Sequence, residues 1–352
     1  MKIGLVRRGH SATGGAEAYL LRFAAEARRF GHEMVLITTA DWPADRWTLG
    51  SIIRLGGGTP AEFATAFGLA GTGCDVHLSF ERVPGCEVFR AGDGVHAAWL
   101  ERRAAFEPFW KRATRWMNRK HGELMRLERE VFDPARTRFV IANSMMVRDE
   151  ILGRFSFPAD RIRVVYNGLT PLAGEPDRHS SREAFGIGQN QFCVLFAGSG
   201  WERKGLRTAI EAVEMCHDTT LLVAGRGPAD LYRSDVAKFV GPVPDLRQLF
   251  AAADIFILPT WYDPFSNACL EALAAGLPVM TTKANGFAEI IMPGVHGSVV
   301  EPGDAPGFAE AIDGWRARVE PVREACRNRA AEFSIERNVR ETLAILESGT
   351  QR

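Results

Sequence analysis

Two carboxylates, Asp263 and Glu271, follow a short apolar segment in the second half of the chain. Residues 253–258 have the length and composition of a buried strand, and Pro259 and Pro264 predict a loop directly after it. A carboxylate repels phosphate but accepts hydrogen bonds from hydroxyl groups. The pair therefore has the chemistry of a site for a polyhydroxylated ligand.

A predicted helix begins between these two carboxylates. Ser266 or Asn267 can cap a helix over residues 268–275, and Gly276 predicts its end. The free amides of a helix N-terminus attract anions and hydroxyls. Together with Asp263 this turn suits a nucleotide sugar, but an ordinary strand-to-helix connection with a solvated Asp and Glu fits the spacing as well.

Arg203 and Lys204 are adjacent cations in a glycine-rich stretch, residues 198–205, that follows another predicted strand. Beside a helix N-terminus they can hold a diphosphate and stabilise its charge as a bond to it breaks. The alternative is a pair of ordinary surface cations. Their position after a strand, in the same half of the chain as Asp263, favours the binding site.

The first half of the chain carries two further candidate sites. Gly14 and Gly15 stand where the first strand gives way to the first helix, which lets backbone approach a ligand closely, although a simple loop also fits. The turn at residues 91–96 carries Asp93 and His96, either of which can face a ligand at the strand ends. An Asx turn at Asp93 and a packed histidine at 96 fit the same residues.

Aromatic and basic residues are mixed along residues 99–120. Such a mixture suits the headgroup layer of an anionic bilayer, where each nearby basic residue contributes about 1 kcal/mol. A pair of helices with buried aromatics and solvated arginines is the alternative. The residues with predicted membrane contacts are Trp99, Arg102, Arg103, Trp110, Lys111, Arg112, Arg115, Trp116 and Arg119.

The composition of the 352-residue chain excludes some classes of protein. Its 43 basic and 43 acidic side chains balance, so no global charge attracts it to nucleic acid. Its 46% apolar content and 35 glycines are typical of a turn-rich α/β protein, and its six cysteines predict reduced core thiols of a cytosolic protein. The first residues begin a strand directly and no apolar stretch of about 18 residues follows, so we expect neither a signal peptide nor a membrane span.

Apolar segments of strand length alternate with helical segments along the chain, which predicts an α/β fold with open parallel sheets. The polar, proline-broken residues 171–181 predict a linker between two such halves. An amphipathic helix over residues 333–346 ends the pattern. The predicted strands cover residues 3–6, 34–38, 51–55, 76–80, 139–143, 162–165, 192–196, 221–224, 238–241 and 253–258.

Four motifs together resemble the retaining GT-B glycosyltransferases of family 4. They are Gly14-Gly-Ala-Glu17, the stretch 198–205, the segment from Asp263 to Glu271 and the tail Phe333-Ser-Ile-Glu-Arg337, with Asn167-Gly168 between the halves. Within the family, residues 79–86, residues 90–93 and the basic aromatic segment are similar to the lipopolysaccharide core glucosyltransferases that add glucose to inner-core heptose.

The resemblance implies two Rossmann-like domains facing across a cleft. Residues 1–170 would bind the acceptor, residues 171–332 would bind the nucleotide sugar, and a last helix within 333–352 would pack back on the first domain. Arg203 and Lys204 would hold the diphosphate, Glu271 the ribose and Asp263 the donor sugar. The other implied contacts are those of Gly15 with phosphate, of the amides of Phe265, Ser266 and Asn267 with sugar and phosphate, and of Asp93 or His96 with the acceptor hydroxyl.

Two positions depart from the family pattern. Asp263 stands where glutamate is usual, which shortens the reach to the donor sugar by one methylene. Gly198 and Ser199 stand where many members carry an arginine, which leaves more of the diphosphate charge to Arg203.

The implied reaction transfers a hexose, expected to be glucose from UDP-glucose, with retained configuration and with no metal or other cofactor. The departing phosphate takes the acceptor proton, and the protein stabilises charge and orients the reactants. The implied acceptor is a lipopolysaccharide core or another lipid-linked glycan at the cytoplasmic face of the inner membrane. Two alternatives are a nucleotide-sugar epimerase of the same fold and a non-catalytic nucleotide-sugar-binding protein at the membrane.

Overall fold

The computed structural model describes residues 1–10, 15–107, 119–171, 174 and 176–350, which form two compact α/β units. Unit 1 comprises Met1–Gly168 and Ile335–Arg352, and unit 2 comprises Leu169–Ser334. Each unit is built on a fully parallel sheet. The predicted fold of two Rossmann-like α/β domains is confirmed.

The sheet of unit 1 has seven strands in the order β3-β2-β1-β4-β5-β6-β7, so the strand order reverses between β1 and β4. The strands are β1 Lys2–Val6, β2 Glu33–Thr38, β3 Ser51–Arg54, β4 Val76–Ser79, β5 Val88–Ala91, β6 Phe139–Ala142 and β7 Ile162–Val164. The helices of this part of the chain are α1 Gly15–Arg29, α2 Pro60–Leu69, α3 His96–Arg103, α4 Arg119–Val131 and α5 Met145–Leu152.

Strand β5 is absent from the sequence-based prediction because it contains a buried arginine. Arg90 is 5% exposed, donates to Oδ1 of Asn167 and lies 3.8 Å from the centroid of the Tyr19 ring. Its partners are distant in the sequence, so local hydrophobic periodicity does not indicate a strand here.

The sheet of unit 2 has six strands in the order β10-β9-β8-β11-β12-β13, and its order reverses between β8 and β11. The strands are β8 Phe192–Ala197, β9 Thr219–Ala224, β10 Ala237–Gly241, β11 Ile255–Leu258, β12 Val279–Thr282 and β13 Gly297–Val300. The helices are α6 Arg178–Ala184, α7 Trp201–Lys204, α8 Leu206–Glu214, α9 Arg247–Ala252, α10 Asn267–Ala274, α11 Ala305–Trp315 and α12 Val319–Ala331. The sequence patterns predict neither β12, β13 nor the single-turn helix α7.

The last helix, α13 (Ile335–Thr350), belongs to unit 1. Val339 and Leu346 of this helix are buried with Val76 of β4 and Val88 of β5. Asn338 accepts a hydrogen bond of 2.6 Å from the hydroxyl of Tyr19 in α1. The helix therefore closes one face of the first sheet.

Five of the six cysteines are buried, Cys74 is partly buried, and all six are free thiols. Within the described residues, every helix is too short or too polar to cross a membrane.

Candidate functional site

Four loops meet at the carboxyl edge of the second sheet, where the strand order reverses between β8 and β11. Ligands of open α/β sheets bind beyond the carboxyl ends of the strands at such a reversal. The loops follow β9, β8, β11 and β12, and they are neighbours in that order. Arg203 and Lys204 end the single-turn helix α7 in the connection after β8, and Asp263 lies in the loop after β11, so the fold brings these predicted site residues together.

Two glycines let these loops pack backbone against backbone. A Cβ atom at Gly205 would lie 1.9 Å from the carbonyl oxygen of Pro259, and one at Gly225 would lie 2.0 Å from that of Gly198. Both glycines have positive φ angles, of 75° and 123°, which side chains disfavour. The loop after β8 is thereby fixed against the loops after β9 and β11.

Lys204 and Asp263 form an ion pair at the centre of this edge. Nζ of Lys204 donates to Oδ2 of Asp263 over 3.0 Å, and the two side chains are only 13% and 8% exposed. Arg203 donates from Nη1 to the carbonyl oxygen of Tyr262 over 2.7 Å, and the same nitrogen lies 3.9 Å from Oδ2 of Asp263. Two cations and one carboxylate therefore occupy a position predicted to bind a diphosphate and a sugar.

The surroundings of Asp263 favour its charged form. Burial alone raises the pKa of an aspartate, but Lys204, Arg203 and the backbone amide of Phe265 together hold the pKa of Asp263 below its usual value. The expected contact of the Phe265 amide with a donor stays a prediction. Asp263 is consequently a charged hydrogen-bond acceptor near neutral pH.

Asn285, which follows β12, organises the same turn and is missing from the sequence-based prediction. Its Oδ1 accepts from the amides of Ser266 (3.3 Å) and Phe287 (3.1 Å), and its Nδ2 donates to Thr281 (2.9 Å). The Ser266 amide thus has a buried acceptor within the protein, and its expected contact with a donor stays a prediction. An Asn-Gly pair after an apolar segment was the available sequence signal.

Helix α10 begins at the predicted place. Ser266 is its N-cap, and the hydroxyl of Ser266 accepts from the amide of Cys269 over 3.4 Å. Asn267 is the first residue of the helix, and Glu271 lies about one turn further along it, partly buried. The helix thus carries two predicted donor-binding residues next to the turn that holds Asp263.

Unit 1 holds the candidate site residues that were predicted in the first half of the chain. Asp93 follows β5, its side chain is 58% exposed, and its Oδ2 lies 3.7 Å from Nη1 of Arg7. Gly15 is the exposed first residue of α1, while Gly14 lies outside the described residues. Both described candidates lie at the carboxyl edge of the first sheet.

His96 is the first residue of α3, and its ring and backbone have separate partners. Nε2 of its ring lies 3.0 Å from Nδ1 of His121 in α4, and its backbone amide donates to the buried carboxylate of Glu128 over 2.6 Å. Glu128 also accepts from Arg82 over 3.1 Å. The predicted acceptor-orienting histidine is thus packed against α4, whereas Asp93 faces solvent.

The predicted membrane contacts are only partly described. Arg102 pairs with the buried Glu150 over 2.7 Å, and the guanidinium of Arg103 lies 6.0 Å from the Trp99 ring centroid. Arg119 is exposed at the start of α4. The other predicted contacts, Trp110, Lys111, Arg112, Arg115 and Trp116, lie outside the described residues.

Among the described residues, no group of three or more His, Cys, Asp and Glu side chains is arranged to hold a metal ion.

Two parallel-sheet units, with two cations and a buried carboxylate at the strand reversal of the second, define a GT-B glycosyltransferase, and the chain belongs to this family. The model of the glycosyl transferases group 1 family matches residues 191–315, which include Arg203, Lys204, Asp263 and Glu271. The chain is 30% identical over 280 residues to a probable transglycosylase of Burkholderia thailandensis, a match that covers 76% of this chain and 73% of the relative.

Other relatives extend this likeness. The lipopolysaccharide glucosyltransferase WaaG of Escherichia coli is 26% identical over 322 residues, covering 82% of each chain. An uncharacterized glycosyltransferase of Methanocaldococcus jannaschii is 29% identical over 230 residues, and the match spans only 58% of this chain and 59% of that relative.

Solved structures confirm the fold. A crystal structure of WaaG superposes with a TM-score of 0.81 at 22% identity, covering 98% of this chain and 99% of that chain. A structure of Anabaena HepE with UDP and glucose gives a TM-score of 0.76 at 19% identity, with 98% and 99% coverage.

Proposed function

We propose that this glycosyltransferase transfers glucose from UDP-glucose, with retained configuration and without a metal ion, to a lipopolysaccharide core or another lipid-linked glycan. The ion pair of Lys204 with Asp263, beside Arg203, carries the proposal. It combines diphosphate-binding cations with a hydroxyl-binding carboxylate, and the side chains of Lys204 and Asp263 are largely buried. The similarity to WaaG, a lipopolysaccharide glucosyltransferase, and to HepE, solved with UDP and glucose, supports the donor and the acceptor.

The cations stabilise the leaving group. As the bond between sugar and phosphate breaks, negative charge grows on the diphosphate, and Lys204 and Arg203 stabilise it from fixed positions. Because Arg203 is anchored to the carbonyl of Tyr262, its guanidinium needs little reorganisation during the reaction. Two cations supply the positive charge that a bound metal would otherwise provide.

The carboxylate orients the sugar. The charged Asp263 accepts hydrogen bonds from donor hydroxyls, and Glu271 on α10 binds the ribose. The departing phosphate takes the proton of the acceptor hydroxyl on the face it leaves, so no protein nucleophile is needed. Asp93 orients that hydroxyl because it is the exposed member of the candidate pair with His96.

The basic aromatic segment at residues 99–120 places the protein on the membrane that holds the acceptor. This membrane contact is supported by the mixture of tryptophans with arginines and lysines in the segment and by the exposure of Arg119. In this role the protein is peripheral and acts at the cytoplasmic face of the inner membrane.

Labelled UDP-glucose incubated with a truncated core lipopolysaccharide tests the proposal. We expect label to appear in the lipopolysaccharide, and ADP-glucose, GDP-mannose and UDP-galactose to be poorer donors. Transfer should continue in excess EDTA, and the anomeric configuration of the product, read by NMR, should match that of the donor. If the protein binds UDP-sugars but transfers no sugar from any donor, the proposal that it is an enzyme is refuted. If it converts the donor to its epimer, the alternative of a nucleotide-sugar epimerase is favoured.

A further inference from the structure

A cavity of about 450 Å³ lies within unit 2, away from the loops that carry Lys204 and Asp263. The last turns of α9 and α10 line it through Ala251 and Ala274, and from these turns the chain runs into the amino ends of β11 and β12. Lys204 and Asp263 instead follow the carboxyl ends of β8 and β11. The cavity therefore lies at the opposite edge of the second sheet and is separate from the candidate donor site.

The wall of this cavity is largely apolar. Leu169, Phe250, Ala330 and Phe333 line it, and each residue is between 3% and 9% exposed. The amide of Leu169 donates to the carbonyl oxygen of Phe333 over 2.9 Å, which joins two parts of the wall that are distant in the sequence. Small-molecule sites have volumes of roughly 300–1,000 Å³, are mostly apolar and are largely preformed. The cavity has these properties.

Arg323 of α12 brings unused hydrogen-bond donors to the cavity. Its side chain is only 15% exposed, and its Nε donates to Oε1 of Glu320 over 2.8 Å. Neither Nη1 nor Nη2 of Arg323 donates to an acceptor within the part of the chain that the structure describes. Both groups are therefore available to an acceptor that enters the cavity.

Arg178 of α6 is a second lining cation, and its guanidinium is held in a fixed position. Nη1 donates to the carbonyl oxygens of Ala251 (3.1 Å) and Ala253 (2.8 Å), and Nη2 donates to Asp254. Asp254 also lies 3.5 Å from Nη1 of Arg182, so two guanidiniums share one carboxylate. Positive charge is thus in excess around Arg178.

The charge of the lining favours an anion. Among the described residues that line the cavity, four are arginines and one is acidic, namely Arg178, Arg247, Arg323, Arg327 and Glu320. The carboxylate of Glu320 is 74% exposed, so solvent screens its attraction to Arg323. A guanidinium presents parallel N–H groups that match the oxygen atoms of a phosphate or a carboxylate.

We propose that this cavity binds an amphipathic oxyanion, which is a phosphate or carboxylate head carried on an apolar chain. The head binds Arg323 and Arg178. The chain packs against Leu169, Phe250 and Phe333, where burial removes its apolar surface from water. The ligand is distinct from the nucleotide sugar, and its binding does not depend on the transfer reaction.

Octyl phosphate is a probe that combines the two halves of such a ligand, and inorganic phosphate and octanol each carry one half. Isothermal titration of the wild type in saturating UDP, which occupies the donor site, measures the affinity for each probe. We expect octyl phosphate to bind at least about tenfold more tightly than either of the others, because inorganic phosphate lacks the apolar contacts and octanol lacks the charge-assisted hydrogen bonds. If inorganic phosphate binds as tightly as octyl phosphate, the site holds a free anion and the inference is wrong.

Variants at the cavity separate its two halves. Arg323→Met should weaken the binding of octyl phosphate on the order of tenfold, and Arg323→Lys, which keeps the charge, should retain part of the affinity. Ala331→Leu enlarges an apolar side chain of the lining and should also weaken this binding. Arg340→Met removes an exposed arginine that pairs with Glu336 in α13, and it should have no effect. The affinity for UDP should not change in any of these variants, which shows that they fold.

Two results would overturn the inference. One is an unchanged affinity for octyl phosphate in Arg323→Met. The other is loss of octyl phosphate binding in Lys204→Met, because the phosphate head would then occupy the donor site. Since these measurements concern binding at the opposite edge of the sheet, a protein that transfers no sugar would refute the proposed function and leave this inference standing.

Discussion

Nζ of Lys204 lies 3.0 Å from Oδ2 of Asp263, and both side chains are largely buried. The pair joins a cation predicted to bind a diphosphate with a carboxylate predicted to bind a sugar. A buried charge without a partner is costly, so each side chain stabilises the other before a donor arrives. Donor binding then adds partners to two charges that are already in place.

Replacing Lys204 by methionine separates these two roles. We expect UDP affinity to fall by on the order of 10- to 100-fold, because a charge-assisted hydrogen bond is worth about 1.5–3 kcal/mol. Stability should fall by about 3 kcal/mol, because the buried Asp263 loses its nearest cation and keeps only Arg203, at 3.9 Å. Isothermal titration with UDP and urea unfolding measure the two effects.

The double variant Lys204→Met, Asp263→Asn provides the control for that prediction. It should regain much of the stability and none of the UDP affinity. Lys283→Met removes an exposed lysine paired with Glu301 and should change neither quantity. If the Lys204→Met variant binds UDP as tightly as the wild type, Lys204 does not bind the diphosphate.

Gly205→Ala should disrupt the loop that carries the cation pair. The new Cβ would lie 1.9 Å from the carbonyl oxygen of Pro259, so the loops after β8 and β11 must separate. Gly294→Ala is a matched control, because Gly294 has a similar φ angle, 79° against 75°, and no atom within 4 Å of the added Cβ. We expect the control to cost about 1 kcal/mol in urea unfolding, and Gly205→Ala to cost clearly more and to abolish UDP binding. If both variants lose the same free energy of unfolding, Gly205 is not closely packed against the carbonyl of Pro259.

His77 should make stability depend on pH above neutrality. Burial lowers the pKa of this histidine, but its hydrogen bonds with Cys74 and Glu87 raise it to about 9. Since the unfolded pKa is about 6.5, the stabilisation is complete below pH 6.5 and is lost as the pH rises towards 9. Urea unfolding from pH 6 to pH 9.5 should show this decline in the wild type and a flatter profile in Glu87→Gln. The same slope in both proteins would show that another group titrates.

Charge reversal in the basic aromatic segment tests membrane binding. Arg112→Glu, Arg115→Glu and Arg119→Glu together should lower partitioning onto phosphatidylglycerol vesicles by more than about 100-fold, at about 1 kcal/mol for each basic residue removed. A matched triple reversal at the exposed Arg46, Arg233 and Arg340 should have little effect. Sedimentation with anionic vesicles, and with phosphatidylcholine vesicles for comparison, measures the partitioning of both triple variants. If the first triple variant still sediments with anionic vesicles, the segment has another role.

The sequence predicts the alternation of strands and helices well because most strands here are uniformly apolar. It fails at β5, where Arg90 is buried by Tyr19 and Asn167, both far away in the chain. It also fails at α7, a single turn between Gly200 and Gly205 that resembles a glycine-rich loop. Local sequence patterns do not predict contacts with residues that are distant in the sequence.

Within the site, residue types and order predict which side chains gather but not how they pair. Lys204 and Asp263 are 59 positions apart in the sequence, and no local pattern indicates their ion pair. Nor does a helix N-cap reveal that Asn285 accepts the hydrogen bond of the Ser266 amide. Both facts follow from the adjacency of β8, β11 and β12 in the sheet.

The return of α13 to unit 1 sets the order in which the chain can finish folding. Unit 2 is one continuous stretch, Leu169–Ser334, whereas unit 1 needs Val339 and Leu346 from the last helix to cover Val76 and Val88. During synthesis, domains fold as units once their residues have emerged. Unit 2 can therefore complete its core on the ribosome while the first sheet, made earlier, keeps one apolar face open until α13 has emerged.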